Sequence, residues 1–379
     1  MDRTDVVENL YAWSRNKKQP PVNVELHPTY KCNSLCIFCD QRKGLYDYNN
    51  AMKKEKWLQI IDELYKLGTK KIQISGGGEP MMVPDITISM IRRIKKHGIE
   101  GKINTNGTLW KKDDLRTLVD SGWDKIIFSI DGPNANIHDY LRGKKGMFRN
   151  AVKNIKYLSK LKSKLKVNRP LIEINSVITN TNFNKVSDLV KLCKKIGVNS
   201  ITLEPVFITV DYVYKLKLNK EQSKEFNALL KHAKALADSY GIENNFESLI
   251  LLEKFEKTGD MKELVYSNNV NNKAGKNNFG NLACFEPWYF PKIGPNGEVG
   301  PCCNYPYIYS SINIRNKKFE DVWFGKEMKK FRKDILNRKF NEICENCTFT
   351  RVAINNELRK QLKEYKRGKD GIKNRKRTC

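Results

Sequence analysis

The 379-residue chain has no run approaching about 18 consecutive apolar residues, which removes a membrane-spanning helix from consideration. Its opening residues (MDRTDVVENLYAWSRNKKQPP) lack the apolar core of a secretory signal, so the expected compartment is the cytoplasm. Acidic residues are scarce: 42 Asp and Glu stand against 70 Lys and Arg, a formal charge of +28. A field of that sign favours anionic partners such as a nucleotide or a phosphorylated small molecule. Lysines scattered over solvated helix faces explain the same excess, since arginine, the better phosphate fork, is the minority here. The chain shows no compact nucleic-acid-binding motif and no basic stripe interleaved with aromatics, so nucleic acid is not an expected partner.

What the chain does have is ten cysteines. With no secretory signal, they point to metal or redox chemistry rather than to a disulfide framework. Cys32, Cys36 and Cys39 lie on one short stretch, Cys284, Cys302 and Cys303 form a second group, and Cys344 and Cys347 a third. Cys193 sits on the apolar stripe of Leu189, Leu192 and Ile196 and reads as core, while Cys379 ends the chain.

Short β-branched runs alternate with segments of helical period, the pattern of βα units around a parallel sheet. Strands are expected near Val22–Leu26, Lys71–Ser75, Lys102–Thr105, Lys125–Ile130, Leu171–Ile178 and Ser200–Glu204. Helices are expected at Lys54–Leu67, Ile86–His97, Asp113–Ser121, Phe148–Leu161 and Lys185–Ile196, each with an apolar stripe at i, i+3, i+4. The fold class is therefore α/β, an open partial (β/α)6 barrel over residues 14–210. Residues 211–282 read as a helical connector, with helices at Asn219–Tyr240 and Phe246–Glu256 and a polar loop at Tyr266–Gly280. Residues 283–350, short on helical period and rich in Cys, Pro and Gly, read as a small module organised by metal. Residues 351–379 read as a helix (Ile354–Tyr365) and a basic disordered tail.

The first cysteine group, Cys-x3-Cys-x2-Cys, follows the first expected strand. Four thiolates saturate a cubane iron–sulfur cluster, whereas three leave one iron open to a ligand. A zinc site completed by His27 fits the same three thiols. Ser75-Gly-Gly-Gly-Glu-Pro80 follows the second strand, Asn104-Thr-Asn-Gly107 ends the third, and Ser129-Ile-Asp-Gly132 ends the fourth, followed by His138, Leu141, Arg142 and Gly143. On bare residues, Asp131-Gly132 is a turn and Arg142 a surface charge.

Taken together, and in this order, these motifs resemble the radical SAM (S-adenosylmethionine) superfamily over about residues 20–205, including the aromatic Phe38 just before the last Cys of the triplet. The resemblance implies that Cys32, Cys36 and Cys39 hold a [4Fe–4S] cluster whose open iron chelates the amino and carboxylate groups of SAM. One electron then enters the sulfonium, and the resulting 5′-deoxyadenosyl radical takes a hydrogen atom from the substrate. Gly77, Gly78, Glu79 and Pro80 would lie at SAM, where a carboxylate suits an ammonium, with Ser129 at the ribose and Arg142 at the carboxylate. An external one-electron donor such as flavodoxin or ferredoxin is the implied partner.

Twelve residues separate Cys284 from Gly297, four separate Gly297 from Cys302, and Cys344-Glu-Asn-Cys347 supplies a close pair. Those four thiolates fill either a second cubane or a structural zinc ribbon. Beside the amino-terminal motifs they resemble the Twitch form of the SPASM auxiliary-cluster domains, which implies one further [4Fe–4S] cluster. No cysteine follows Cys347 except Cys379, so the two-cluster SPASM pattern is not met. Cys303 competes with Cys302 as ligand, and a free Cys303 is a candidate hydrogen donor to a substrate radical. An auxiliary cluster that accepts a second electron favours dehydrogenation, and a thiol that returns a hydrogen atom fits epimerisation, of a small polar molecule of sugar, cyclitol or nucleotide-sugar type. The alternatives are a peptide maturase that crosslinks or epimerises residues, and an iron–sulfur protein that binds nucleic acid or carries electrons.

Overall fold

The computed structural model describes residues 3–39, 47, 49–207, 211–250, 279–282, 284–302, 311–340, 344, 347 and 349–375. In chain order come α1 (Thr4–Ser14), β1 (Asn23–Leu26), α2 (Lys54–Leu67), β2 (Lys71–Ile74), α3 (Pro84–Lys96), β3 (Glu100–Thr105), α4 (Lys112–Asp120) and β4 (Lys125–Ser129). There follow α5 (Ala135–Arg142), α6 (Met147–Leu165), β5 (Leu171–Ile178), α7 (Val186–Ile196), β6 (Ser200–Pro205), α8 (Asp211–Tyr214), α9 (Lys220–Ser239), β7 (Glu243–Asn244) and α10 (Phe246–Ile250). The last elements are α11 (Glu286–Tyr289), β8 (Lys292–Ile293), β9 (Val299–Gly300), α12 (Phe319–Trp323), α13 (Lys326–Leu336) and α14 (Phe349–Arg375). Among the described residues no helix is long and apolar enough to cross a membrane.

Two compact units divide the chain. One comprises Met1–Glu25, Asp62–Lys71 and Gly259–Cys379, the other Leu26–Ile61 and Ile72–Thr258. The second holds the βα repeats. Its strands run in the order β7-β6-β5-β4-β3-β2 and do not close on themselves. The pairs β3–β4, β4–β5, β5–β6 and β6–β7 are parallel. The six expected strands are all found, and β7 adds a short edge the sequence does not advertise.

Alternation along the strands decides what each face does. Ile103, Ile126, Phe128, Ile172, Ile174, Ile201 and Leu203 are buried on one face. The stripes of the helices are buried with them: α7, for example, buries Val186, Leu189, Val190, Cys193 and Ile196. Cys193 is core, as expected, and burial pushes its thiol up to about 12. The opposite face is polar. Asn104, Ile127 and Glu173 share one level across β3, β4 and β5, and Ser129, Asn175 and Thr202 share the next across β4, β5 and β6. A closed barrel of this kind fills its centre with branched aliphatic side chains. This sheet keeps hydroxyls, amides and charges there instead.

The first unit has a different economy of packing. Val6, Val7 and Leu10 of α1 share an apolar cluster with Phe285, Trp288, Tyr289, Ile335, Leu358 and Leu362. Residues 283–350 were expected to lack helical period, yet α12 and α13 lie there. Charge masks the period in α13 (KEMKKFRKDIL), where Met328, Arg332 and Ile335 form a narrow buried stripe. Of the basic segment expected to be a disordered tail, Lys366 to Arg375 continue α14 instead, and residues 376–379 lie outside the described residues. Two glycines, Gly368 and Gly371, lie in this stretch, and each costs a helix only about 1 kcal/mol. The helical piece expected at Phe246–Glu256 is seen as α10 up to Ile250. Residues 251–278, with most of the expected polar loop, lie outside the described residues.

Candidate functional site

The cysteine loop follows β1, and the loops after β2, β3 and β4 are hydrogen-bonded to it or to one another. The Ser75 N–H donates to the Leu26 carbonyl, the Gly78 N–H to Thr29 and the Glu79 N–H to Lys31, all within 3.0 Å. Gly78 is obligatory at this approach, since a Cβ there would lie 2.2 Å from the Lys31 carbonyl oxygen. Asn33 joins the loop to the end of β3: its carbonyl Oδ1 accepts from Asn106 Nδ2 at 2.7 Å, and its own Nδ2 donates to Thr108 Oγ1. Tyr212 of α8 clamps the far side, its hydroxyl donating to the Cys39 carbonyl at 2.5 Å.

Cys32 is exposed, Cys36 buried and Cys39 in between, and no described cysteine forms a disulfide. Ser34 Oγ lies 3.1 Å from Cys32 Sγ and 3.5 Å from Cys36 Sγ. Arg142 Nη1 donates to Cys36 Sγ at 3.6 Å. Sulfurs that collect hydrogen-bond donors on one side are suited to act as anionic ligands on the other. Phe38 lies beneath the same arginine, with its ring centre 5.4 Å from the guanidinium carbon, and packs with Ile37, Val213 and Leu216.

Glu79 is 2 % exposed and faces inward. It accepts from Thr105 Oγ1 and from the Asn106 N–H, each at 2.6 Å, and from the Met81 N–H at 3.1 Å. Burial pushes its carboxyl above the usual range, against the pull of those three donors. The carboxylate therefore brackets the loop onto β3, and the part of the Gly77-Gly78-Glu79-Pro80 element left for a ligand is its backbone. Pro80 opens a short 3-10 turn capped by Glu79 itself. Glu79→Ala would strand three donors where Thr105 and Asn106 are also buried. At about 1–3 kcal/mol per unsatisfied group, we expect a loss on the order of 3 kcal/mol in denaturant unfolding, with Glu79→Gln losing clearly less.

Ser129 ends β4 on the polar face, in register with Asn175. Arg142 ends α5, and its Nε lies 2.6 Å from Asp131 Oδ2 in a pair that is 9 % and 0 % exposed. Burial works against the guanidinium's charge, but Asp131 and then Cys36 outweigh it and push its pKa up. Asp131, which the sequence offered only as a turn residue, is thus the inner anchor of the loop. Asn33, Ser34, Asn106 and Tyr212 escape sequence reading as well. Only Asn106 lay in a motif that could have singled it out.

In the other unit, Cys302 lies within electrostatic reach of Cys284, Cys344 and Cys347. Burial, the Glu286 carboxylate, Cys302 and Cys347 all push the Cys284 thiol well up. The Cys302 thiol is pushed up to about 12 by burial and Glu286, with Lys292 opposing and Cys347 and Cys344 adding. Gly297 of the cysteine spacing lies in the turn between β8 and β9. Cys303 lies outside the described residues, as does Cys379. Among the described residues no three His, Cys, Asp or Glu side chains are drawn together at single-ion spacing. By donor chemistry, three thiols on one loop and four in the second unit are the kind of groups that hold iron–sulfur clusters.

The Radical SAM superfamily profile matches residues 26–176, and an iron–sulfur cluster-binding domain profile, SPASM, matches residues 284–348. The chain belongs to the radical SAM superfamily. Its cofactors are SAM and two [4Fe–4S] clusters, one SAM-binding and one auxiliary. As a radical SAM protein it is 25% identical over 343 residues to an AdoMet-dependent heme synthase of Nitratidesulfovibrio vulgaris, covering 86% of this chain and 84% of that one. It is 24% identical over 345 residues to the antilisterial bacteriocin subtilosin biosynthesis protein AlbA of Bacillus subtilis, covering 88% and 67%. Streptococcus suis SuiB, solved bound to its precursor peptide SuiA, shares the fold at a TM-score of 0.64 and 19% identity, covering 89% of this chain and 71% of that one.

Proposed function

We propose that this radical SAM enzyme modifies a peptide, crosslinking or epimerising residues after removal of a hydrogen atom. The observation that carries the reading is the chemistry of the polar sheet face. Its cations are already neutralised: Lys125 Nζ lies 2.8 Å from Glu173 Oε2, and Lys102 Nζ lies 3.5 Å from Glu100 Oε1. Ser200 and Thr202 donate their hydroxyls to the same Glu173 carboxylate, at 3.0 and 3.1 Å. The groups left with unused capacity are amides, because Asn104 Oδ1 and Asn175 Oδ1 are buried with no protein partner. Buried amide oxygens call for N–H donors, which a peptide backbone supplies at every residue. A carboxylate-bearing tetrapyrrole calls for unpaired cations instead.

The names of AlbA and SuiB support a peptide, and a sugar or cyclitol substrate finds no counterpart among the relatives described above. The heme synthase relative, similar over most of both chains, keeps a tetrapyrrole as the second reading. When bound, the cofactor pair supplies a carbon-centred radical that can take hydrogen from an unactivated position. This chain's own residues would hold SAM with the Gly77–Gly78 backbone and Ser129, and would orient the substrate with Asn104 and Asn175.

The test is anaerobic turnover with dithionite and SAM, offering a deuterated synthetic peptide encoded beside the gene and, in parallel, a deuterated tetrapyrrole carboxylate. Deuterium in 5′-deoxyadenosine from the peptide alone is the expected result. Label from the tetrapyrrole alone would replace the peptide reading with the second one.

A further inference from the structure

We propose that Asp131 is a positioning residue that holds the Arg142 guanidinium on the Cys36 sulfur and thereby sets the reduction potential of the SAM-binding cluster. The inference rests on the assignment of that cluster to Cys32, Cys36 and Cys39. It goes beyond that assignment by giving the Asp131–Arg142 pair a role towards the metal.

Three observations carry it. First, the guanidinium spans two partners at once: Nε is 2.6 Å from Asp131 Oδ2, while Nη1 donates to Cys36 Sγ at 3.6 Å. A planar fork pinned at one end has little freedom at the other, which a lysine could not reproduce.

Second, Asp131 is itself immobilised from three directions. Its Oδ1 accepts from the Val177 N–H at 2.9 Å on β5. Its N–H donates to His138 Nδ1 at 3.1 Å on α5, and its carbonyl accepts from Asn182 Nδ2 at 2.8 Å. Asn182 reaches back from beyond β5, and its amide also donates to the Val177 carbonyl. A side chain that only closed a turn would not need anchors on two other elements.

Third, the end of α5 is joined backbone to backbone with the cysteine loop. The Leu35 N–H donates to the Arg142 carbonyl at 3.0 Å and the Ile37 N–H to the Leu141 carbonyl at 2.9 Å. Gly143 takes φ +65°, and a Cβ there would lie 2.0 Å from the Leu35 carbonyl oxygen. The register between arginine and cysteine is therefore set by the main chain, and Asp131 sets the remaining side-chain freedom.

A hydrogen bond and a buried positive charge on a ligand sulfur favour the more negative, reduced form of a cluster, and so raise its potential. Asp131 acts on the sulfur through Arg142. Its removal therefore has two opposed consequences: loss of a buried anion raises the potential, and release of the guanidinium lowers it. The proposal requires the second to win.

The experiment is a potentiometric titration of the reconstituted holoenzyme without SAM, followed by the electron paramagnetic resonance of the reduced cluster, with iron content measured on every variant. Leaving SAM out removes any part Arg142 plays at the SAM carboxylate. Arg142→Met is expected to move the potential in the negative direction, and Asp131→Asn to move it the same way. The double variant should show no further shift beyond Arg142→Met, because the two residues act as one unit. Asp131→Glu should return the potential towards wild type. An upward shift or none in Asp131→Asn, or additive shifts in the double variant, would overturn the proposal. If Asp131→Asn loses its cluster, Arg142→Lys decides, since lysine keeps the charge but cannot span both partners; an unchanged potential there also overturns it. A wild-type protein in which the cysteine triplet holds no cluster would refute the underlying assignment instead, and iron content reports that separately.

Discussion

A chain carrying Cys32→Ala, Cys36→Ala and Cys39→Ala together is expected to keep about half of the wild-type iron and to release no detectable 5′-deoxyadenosine from SAM. The remaining iron belongs to Cys284, Cys302, Cys344 and Cys347, which lie in a separate compact unit with its own apolar cluster. The loss of SAM cleavage should be complete rather than partial, because among the described residues from Cys32 to Cys39 no other side chain can replace three thiolates. Ser34 and Asn33, the other polar side chains between the cysteines, are spent on the sulfurs and on Asn106 and Thr108. The fold should survive, since Tyr212 holds the Cys39 carbonyl and α5 pairs with the Leu35 and Ile37 backbone, not with the sulfurs. Iron analysis and a SAM cleavage assay under dithionite check both halves of the expectation. Full iron retention in the triple variant would remove the triplet from the ligand set.

The parts of this protein that were legible in its sequence are those whose physics is local. Alternation in Leu171–Ile178 and the stripe of Val186–Ile196 declare a strand and a helix within a dozen residues, and both are found. The spacing of Cys32, Cys36 and Cys39 is local too, as is that of Cys344 and Cys347, so candidate thiol sets could be proposed before any fold was known. What escaped depends on partners distant in the chain. Asp131 looks like a turn residue until Val177, Asn182 and Arg142 surround it. Glu79 looks like an exposed ammonium partner until β3 brings Thr105 and Asn106 against it. Tyr212 lies 173 positions from the carbonyl it holds. The short strands β8 and β9, two residues each, carry too little alternation to be seen. The same limit applies to the substrate: the polar face depends on the register of four strands, which no single strand announces.

Acid should act first on this same corner of the fold, through His138. The imidazole is fully buried, accepts the Asp131 N–H at Nδ1 and leaves Nε2 without a protein partner. Burial, and then the nearby Arg142 cation, push its pKa down from 6.5 to about 3. The unfolded chain therefore takes up a proton below about pH 6.5 while the folded chain does not, so stability is fully present above that pH and falls as pH drops towards 3. A span of about 3.5 units corresponds to roughly 5 kcal/mol at the acid limit, with a slope of about 1.4 kcal/mol per pH unit around pH 5. His138→Asn keeps an acceptor for the Asp131 N–H but cannot titrate. At pH 7.5 this variant should be the less stable chain, having lost the ring packed beside Phe148. By pH 5 the gap should narrow by about 2 kcal/mol, because only the wild type carries the acid-sensitive imidazole. Denaturant unfolding of both holoproteins at the two pH values gives the comparison, and any acid sensitivity of the clusters enters both sides equally. A gap that stays constant would mean that His138 does not stay neutral while the unfolded chain charges. A gap that narrows would show that the imidazole bonded to the Asp131 N–H stays neutral in the fold while the unfolded chain takes up a proton.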